Sequence, residues 1–145
     1  MRPDVFVLFT AFLGPAAAYR RTCSHTGKGE GWYIIRRGDN FNAVAADFCT
    51  STNVLTEWNH ISTITDNMVN TKIKVPCRWN AGKQRDCLKD QKSSNGWYHI
   101  VSGDELKDIA YDFCTTSGSL AGMNGISNPD YIKANTDIVV PCSWN

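Results

Sequence analysis

A surplus of charge is missing from this 145-residue chain: 15 Lys and Arg against 14 Asp and Glu leave a formal net charge of +1. Proteins that hold nucleic acid normally present a basic stripe that displaces counterions, so that class of partner is excluded. The densest basic stretch, KQRDCLKDQK (83–92), is broken by Asp86 and Asp90 and reads as a solvated linker. Long hydrophobic runs are absent beyond residue 18, which excludes a membrane anchor. No Ser/Thr/Pro-rich stalk, lipid-anchor tail or Asn-x-Ser/Thr acceptor occurs, so nothing marks a tethered wall protein. The six cysteines and three histidines lack C-x-x-C and H-x-x-x-H spacings, so no metal site and no cofactor are expected.

Residues 1–18 have the parts of a secretory signal peptide. Arg2 precedes the apolar run VFVLFTAFLG, and PAAA then puts small residues before a cut after Ala18. The product is expected to be secreted and to begin near Tyr19, with Arg20-Arg21 as a second candidate processing site. Export makes Cys23, Cys49, Cys77, Cys87, Cys114 and Cys142 an even set of disulfide cysteines, with fifteen possible connectivities.

What the chain does contain is a repeat. Residues 31–80 laid over 96–145 without a gap agree at 23 of 50 positions. GWYIIRRGDNFNAVAADFCT aligns with GWYHIVSGDELKDIAYDFCT, and KIKVPCRWN aligns with DIVVPCSWN. The organisation expected is an N-terminal segment (19–30), one module (31–80), a linker (81–95) and a second module (96–145). GWYII and GWYHI have strand composition. Phe41, Val44, Ala45 and Phe48, answered by Leu106, Ile109, Ala110 and Phe113, mark one face of a helix. A shorter second helix carries Val54, Leu55 and Trp58, with Leu120 and Met123 opposite. KIKVP and DIVVP close each module as strands. The class is α+β, in two tandem βααβ modules stapled by disulfides. An antiparallel pair of strands places Cys77 near the end of the first helix, which favours Cys49–Cys77, Cys114–Cys142 and Cys23–Cys87.

The joint occurrence of strand, Gly-Asp, helix, Asn, NPDYI and strand-Pro in SGDELKDIAYDFCT…MNGISNPDYIKANTDIVVP resembles the lysin motif, LysM. The first copy, GWYIIRRGDNFNAVAADFCTSTNVLTEWN…KIKVP, resembles it too, and the added cysteines, GWY and PC resemble the fungal secreted subset. The resemblance implies binding of N-acetylglucosamine polymers, chitin above all, in a groove between two loops. Carried onto this chain, the first copy's loops are Gly38, Asp39, Asn40 and Phe41, and Ile64, Thr65, Asp66, Asn67 and Met68. The second copy's are Gly103, Asp104, Glu105 and Leu106, and Asn128, Pro129, Asp130, Tyr131 and Ile132. The first copy departs from the motif, since Ile64 and Asp66 stand where Pro129 and Tyr131 stand in the second. Phe41 and Leu106 also fit a core role, with the ligand held through backbone groups.

A non-catalytic, secreted binder is therefore expected, free or held on the fungal wall. It would keep chitin fragments from host receptors or shield hyphae from chitinases. The alternative is a peptidoglycan-binding or cell-wall structural member. Two modules either share one polymer strand, which raises apparent affinity, or bridge molecules into a ligand-induced homo-oligomer. Glycoside hydrolysis needs paired carboxylates, and the candidate pair Asp39 and Glu57 becomes Asp104 and Gly122 in the second copy. Arg37-Gly38-Asp39 has the form of an adhesion signal, yet Arg37 becomes Ser102, so the shared element is Gly-Asp. Gly38 and Gly103 are read as turn residues and Asp39 and Asp104 as helix caps.

Overall fold

The computed structural model describes residues 20–79 and 84–142; the expected signal peptide lies outside them. Strand β1 (Ser24–Gly27) pairs antiparallel with β2 (Glu30–Ile34), and β2 pairs antiparallel with β3 (Lys72–Pro76). Helices α1 (Phe41–Asp47) and α2 (Thr52–Asn59) lie between β2 and β3. The second half repeats this with β4 (Leu88–Lys89), β5 (Asn95–His99), α3 (Leu106–Asp112), α4 (Ser117–Asn124) and β6 (Asp137–Pro141). The expected βααβ order is present twice. Each copy also has a third strand, β1 or β4, drawn from segments that read as an N-terminal extension and a linker.

The apolar stripes bury as their period requires. In the first module Val44, Phe48 and Leu55 are fully buried against Tyr33, Ile35, Ile73 and Val75. In the second, Ile109, Phe113 and Leu120 pack on Ile100, Ile138 and Val140. Phe41 and Leu106 are 7% and 1% exposed, so both are core residues. Met123, expected to answer Trp58, lies outside the core because its position on α4 faces solvent.

The helix pair is positioned by polar side chains rather than by propensity. Asn40 caps α1 by accepting from the Ala43 amide at 2.9 Å, and Ser51 and Thr116 cap α2 and α4. Helix α4 contains Gly118 and Gly122, both unfavourable in a helix interior. Tertiary anchors compensate for them. The Asn124 amide donates to the carbonyls of Leu120 and Val139 and accepts from the Val139 N–H, locking α4 to β6. Asn59 makes the same three bonds to Leu55 and Lys74.

The disulfides are Cys23–Cys77, Cys87–Cys142 and Cys49–Cys114, which corrects all three expected pairings. Cys77 instead bonds the chain entering β1, because β1 and β3 flank β2 and Gly31 of β2, having no side chain, leaves room for the bond to cross it at a Cα separation of 6.0 Å. The corresponding bond in the second module is Cys87–Cys142. Cys49 and Cys114 sit in left-handed conformations (φ 54° and 61°) just past the ends of α1 and α3. They turn outward and join equivalent points of the two modules.

Around that staple lies an interface built from Arg20, Arg78 and Trp79. Buried Arg20 donates to the carbonyls of Asp47 and Asp112, one in each module, and its guanidinium stacks 4.6 Å from the Trp79 ring centre. Desolvation by burial outweighs the neighbouring carboxylates and lowers its pKa to about 10. Trp79 donates its indole N–H to Asp112 at 2.8 Å, and Arg78 stacks 4.3 Å from the Tyr111 ring centre. The dibasic pair read as a processing site is thus enclosed, with Arg20 and Arg21 only 4% and 9% exposed.

Candidate functional site

Gly38 and Gly103 carry the chain out of β2 and β5 with φ of 87° and 91°, a conformation side chains disfavour. The aspartates that follow do not cap the helices, which corrects the expected role. Asp39 turns back: its Oδ2 accepts from the Arg36 amide at 2.7 Å and from the Tyr33 hydroxyl at 2.6 Å. Asp104 does the same with Val101 N at 3.0 Å and Tyr98 at 2.7 Å. The residue just before the helix takes the cap position instead, Asn40 in α1 and Glu105 in α3, the latter without a side-chain cap bond.

Each turn aspartate also meets an arginine two residues before a β1-side or β4-side cysteine. Arg21 bridges Asp39 and the buried Asp47 of α1 at 2.8 and 2.9 Å. Arg85 bridges Asp104, at 2.8 Å, and Asp112 of α3. The stretch read as a solvated linker therefore contributes a largely buried ion pair. Burial works against each guanidinium's charge, but the hydrogen bonds it donates to the carboxylates, together with their charge, outweigh it and raise both arginine pKa values. Burial likewise pushes Asp104 up, while bonds from Arg85, the Val101 amide and Tyr98 outweigh it and hold the carboxyl below its ordinary value. Burial and the Asp39 carboxylate push the Tyr33 phenol above its usual range, so it stays a donor. Arg21 and Arg85 are 64 residues apart, as are Cys23 and Cys87, and that shared offset was the available signal for them.

In the second module the two expected loops converge on a cleft of about 390 Å³. Asp104, Glu105, Leu106, Pro129, Asp130, Tyr131 and Ile132 line it, together with Lys107 and Ser117, which the sequence reading missed. Tyr131 stands at the lip, 78% exposed. Glu105 is paired with Lys107 at 2.8 Å across one wall. Asn128 supports the loop from within by accepting from the Asp130 amide, and Gly103 serves only the turn. In the first module Ile64 and Met68 pack on the core, Thr65 hydrogen-bonds Asn67, and Asp66–Met68 forms a 3-10 turn with Asp66 and Asn67 exposed. Both loops return to the sheet alike, Thr71 and Thr136 donating to the carbonyls of Met68 and Lys133. All six cysteines are disulfide-bonded and supply no thiolate for a metal.

The family model of the LysM domain matches residues 33–76 and again 98–141. The chain belongs to the LysM family. Each match runs from the tyrosine of the first central strand to the proline that closes the last, so β1, β4 and the arginines lie outside the LysM core. The secreted LysM effector ECP6 of Passalora fulva is 28% identical over 114 residues, covering 77% of this LysM chain and 45% of its own length. An autolysin of Enterococcus faecalis is 30% identical over 115 residues, covering 75% of this chain and 15% of its own. The chain thus spans less than half the length of either relative. The spore cortex-lytic enzyme SleL of Bacillus cereus shares 18% identity over 79% of this chain and 23% of its own, with a TM-score of 0.31.

Proposed function

We propose that this two-module LysM protein is a secreted, non-catalytic binder of chitin and its oligomers. The observation that carries the reading is the second-module cleft, where two of the acids are neutralised at close range and an open tyrosine ring remains. Asp104 is paired with Arg85 and Glu105 with Lys107, so an uncharged polymer meets little net field there. Backbone groups of the loops would hydrogen-bond the acetamides, each bond contributing about 0.5–1.5 kcal/mol net. Tyr131 offers a flat apolar face to a sugar ring, with its hydroxyl toward water.

The same electrostatics supports a non-catalytic role. A glycosidase needs a carboxylic acid that stays protonated near neutrality, and Asp104 is held in the opposite direction. Secretion is supported by three disulfides, which persist in oxidising compartments, and by the apolar leader of residues 1–18. Likeness to a protein described as a secreted effector favours a role in keeping chitin fragments from host receptors, or in covering hyphae against chitinases. Likeness to an autolysin favours peptidoglycan as the second reading.

The test is retention of the purified protein on chitin, chitosan, cellulose and peptidoglycan in parallel. Selective retention on chitin is expected, whereas passage through chitin would end the proposal and retention on peptidoglycan alone would select the second reading. Suppression of fragment-triggered host responses, measured against protection of hyphae from chitinase, separates the two biological roles.

A further inference from the structure

We propose that one molecule bridges two separate polymer strands, because each groove lies at the end of its module far from the disulfide that joins the two. This rests on the chitin-binding reading above. In each module the groove loops flank the start of the first helix and the end of the second: Asp39–Phe41 opens α1 and residues 64–68 follow α2. The short connection between the helices, residues 48–51, lies at the other end. Cys49 and Cys114 lie in those connections, and their bond brings the two groove-distant ends within a Cα separation of 5.3 Å. Helices α1 and α3, seven residues each, run away from that point toward their own grooves and set each groove about 10 Å from the staple.

The contacts between modules follow the same pattern. Among the described residues they involve Arg20, Arg21, Ala46, Cys49, Arg78 and Trp79 on one side. On the other they involve Gln84, Arg85, Asp86, Tyr111, Asp112, Phe113 and Cys114. Asp130, Tyr131, Asp66 and Asn67 stand apart from these contacts and are exposed. A tether alone would let the modules swing until both grooves met one strand. Here the disulfide, the Arg20 bonds to both Asp47 and Asp112, and the Trp79–Asp112 bond fix the orientation. An oligomer filling one groove therefore leaves the other open to a different strand. Long chitin would be cross-linked, not wrapped.

The experiment loads the full protein onto beads carrying sparse, singly attached chitin oligomers, too far apart to be bridged, washes them, and adds a fluorescent chitin oligomer just long enough to fill one groove. Retained label approaching one oligomer per bound protein, above that on bare beads, is the expected result. Protein that stays on the beads without capturing label overturns the bridging, since both grooves would then be engaged on one strand. Protein that never binds the beads instead overturns the chitin-binding reading, and bridging falls with it. Tyr131→Ala, which alters only an exposed lip, is expected to lower captured label at least fivefold among the molecules still retained. Capture unchanged by Tyr131→Ala, and equally unchanged by Asp66→Ala with Asn67→Ala, would place the second ligand outside the grooves and refute the geometry.

Discussion

Replacing Arg85 with alanine tests whether residues outside the LysM core hold the second groove in place. The guanidinium contacts Asp104 at 2.8 Å, Asp112, and the Tyr98 hydroxyl at 3.2 Å. The two carboxylate side chains are each only 6% exposed. Truncation leaves two nearly buried carboxylates without the guanidinium that bridges them, and of the two Asp112 keeps Arg20 as a cationic neighbour. Breaking a buried pair from one side typically costs 3–5 kcal/mol, because the abandoned charge stays desolvated. Arg85 itself is 21% exposed, so water enters part of the space. A loss of about 3 kcal/mol is expected, at the low end of that range. Arg85→Lys keeps the charge but loses the planar fork that reaches both acids, and should fall between. Native-state hydrogen exchange reads the two modules separately. The Ile100 amide, bonded to Thr136 O at 2.9 Å, reports on the second module, and the Ile35 amide, bonded to Thr71 O at 2.9 Å, is the internal control. The opening free energy should drop at Ile100 far more than at Ile35. The deficit should shrink as pH falls and the Asp104 carboxyl, which Arg85 holds below its ordinary value in the native protein, takes up its proton. A loss under about 1 kcal/mol at neutral pH would refute the argument, since that is the scale of an exposed surface pair.

Gly31 and Gly96 sit where a Cβ would lie 2.4 Å from the Ser24 or Leu88 carbonyl oxygen and within 3 Å of the Cys77 or Cys142 Cβ. Gly31→Ala should therefore block the Cys23–Cys77 bond, and a thiol assay finding all three disulfides with unchanged melting would contradict this. The Asp104 carboxyl should titrate below its ordinary value. Its contribution to stability is complete above about pH 4, the unfolded value, and is lost as pH falls through the lower folded value. Carboxyl carbon NMR placing its pKa at or above the ordinary value would refute the ion-pair account. Serine at both Cys49 and Cys114 should cost about 2–4 kcal/mol while each module keeps its own disulfide and its strands. Collapse of either module's circular dichroism would show the staple to be a requirement for folding rather than for orientation.

Features legible in the sequence are those whose cause is local. Val44 and Phe48, or Ile109 and Phe113, lie on one helical face because of a 3.6-residue period, and a second copy confirms the spacing without any tertiary knowledge. The turns into the first helices were legible for the same reason: Gly38 and Gly103 follow a strand, and a stripe begins three residues later. Asp39 was misread because an aspartate before a helix is ordinarily a cap. Here Asn40 stands one position closer, and Asp39 is drawn back by Tyr33 and by Arg21, 18 residues upstream. The β1 and β4 strands were missed because SHTG and LK are too short to show alternation, and they exist only where β2 and β5 offer an open edge.

The sequence by itself determined two copies of a βααβ module, their cores, and the two loops that line the second module's cleft. All of that follows from periodicity and from residues that act on their near neighbours. Tertiary structure alone decided which cysteines pair, why Arg20 and Arg21 are buried, and why Arg85 is half-buried between two aspartates. Those outcomes depend on which distant segments pack side by side. Six identical thiols carry no information about partners until β1 is laid against β2 and the ends of α1 and α3 are brought together.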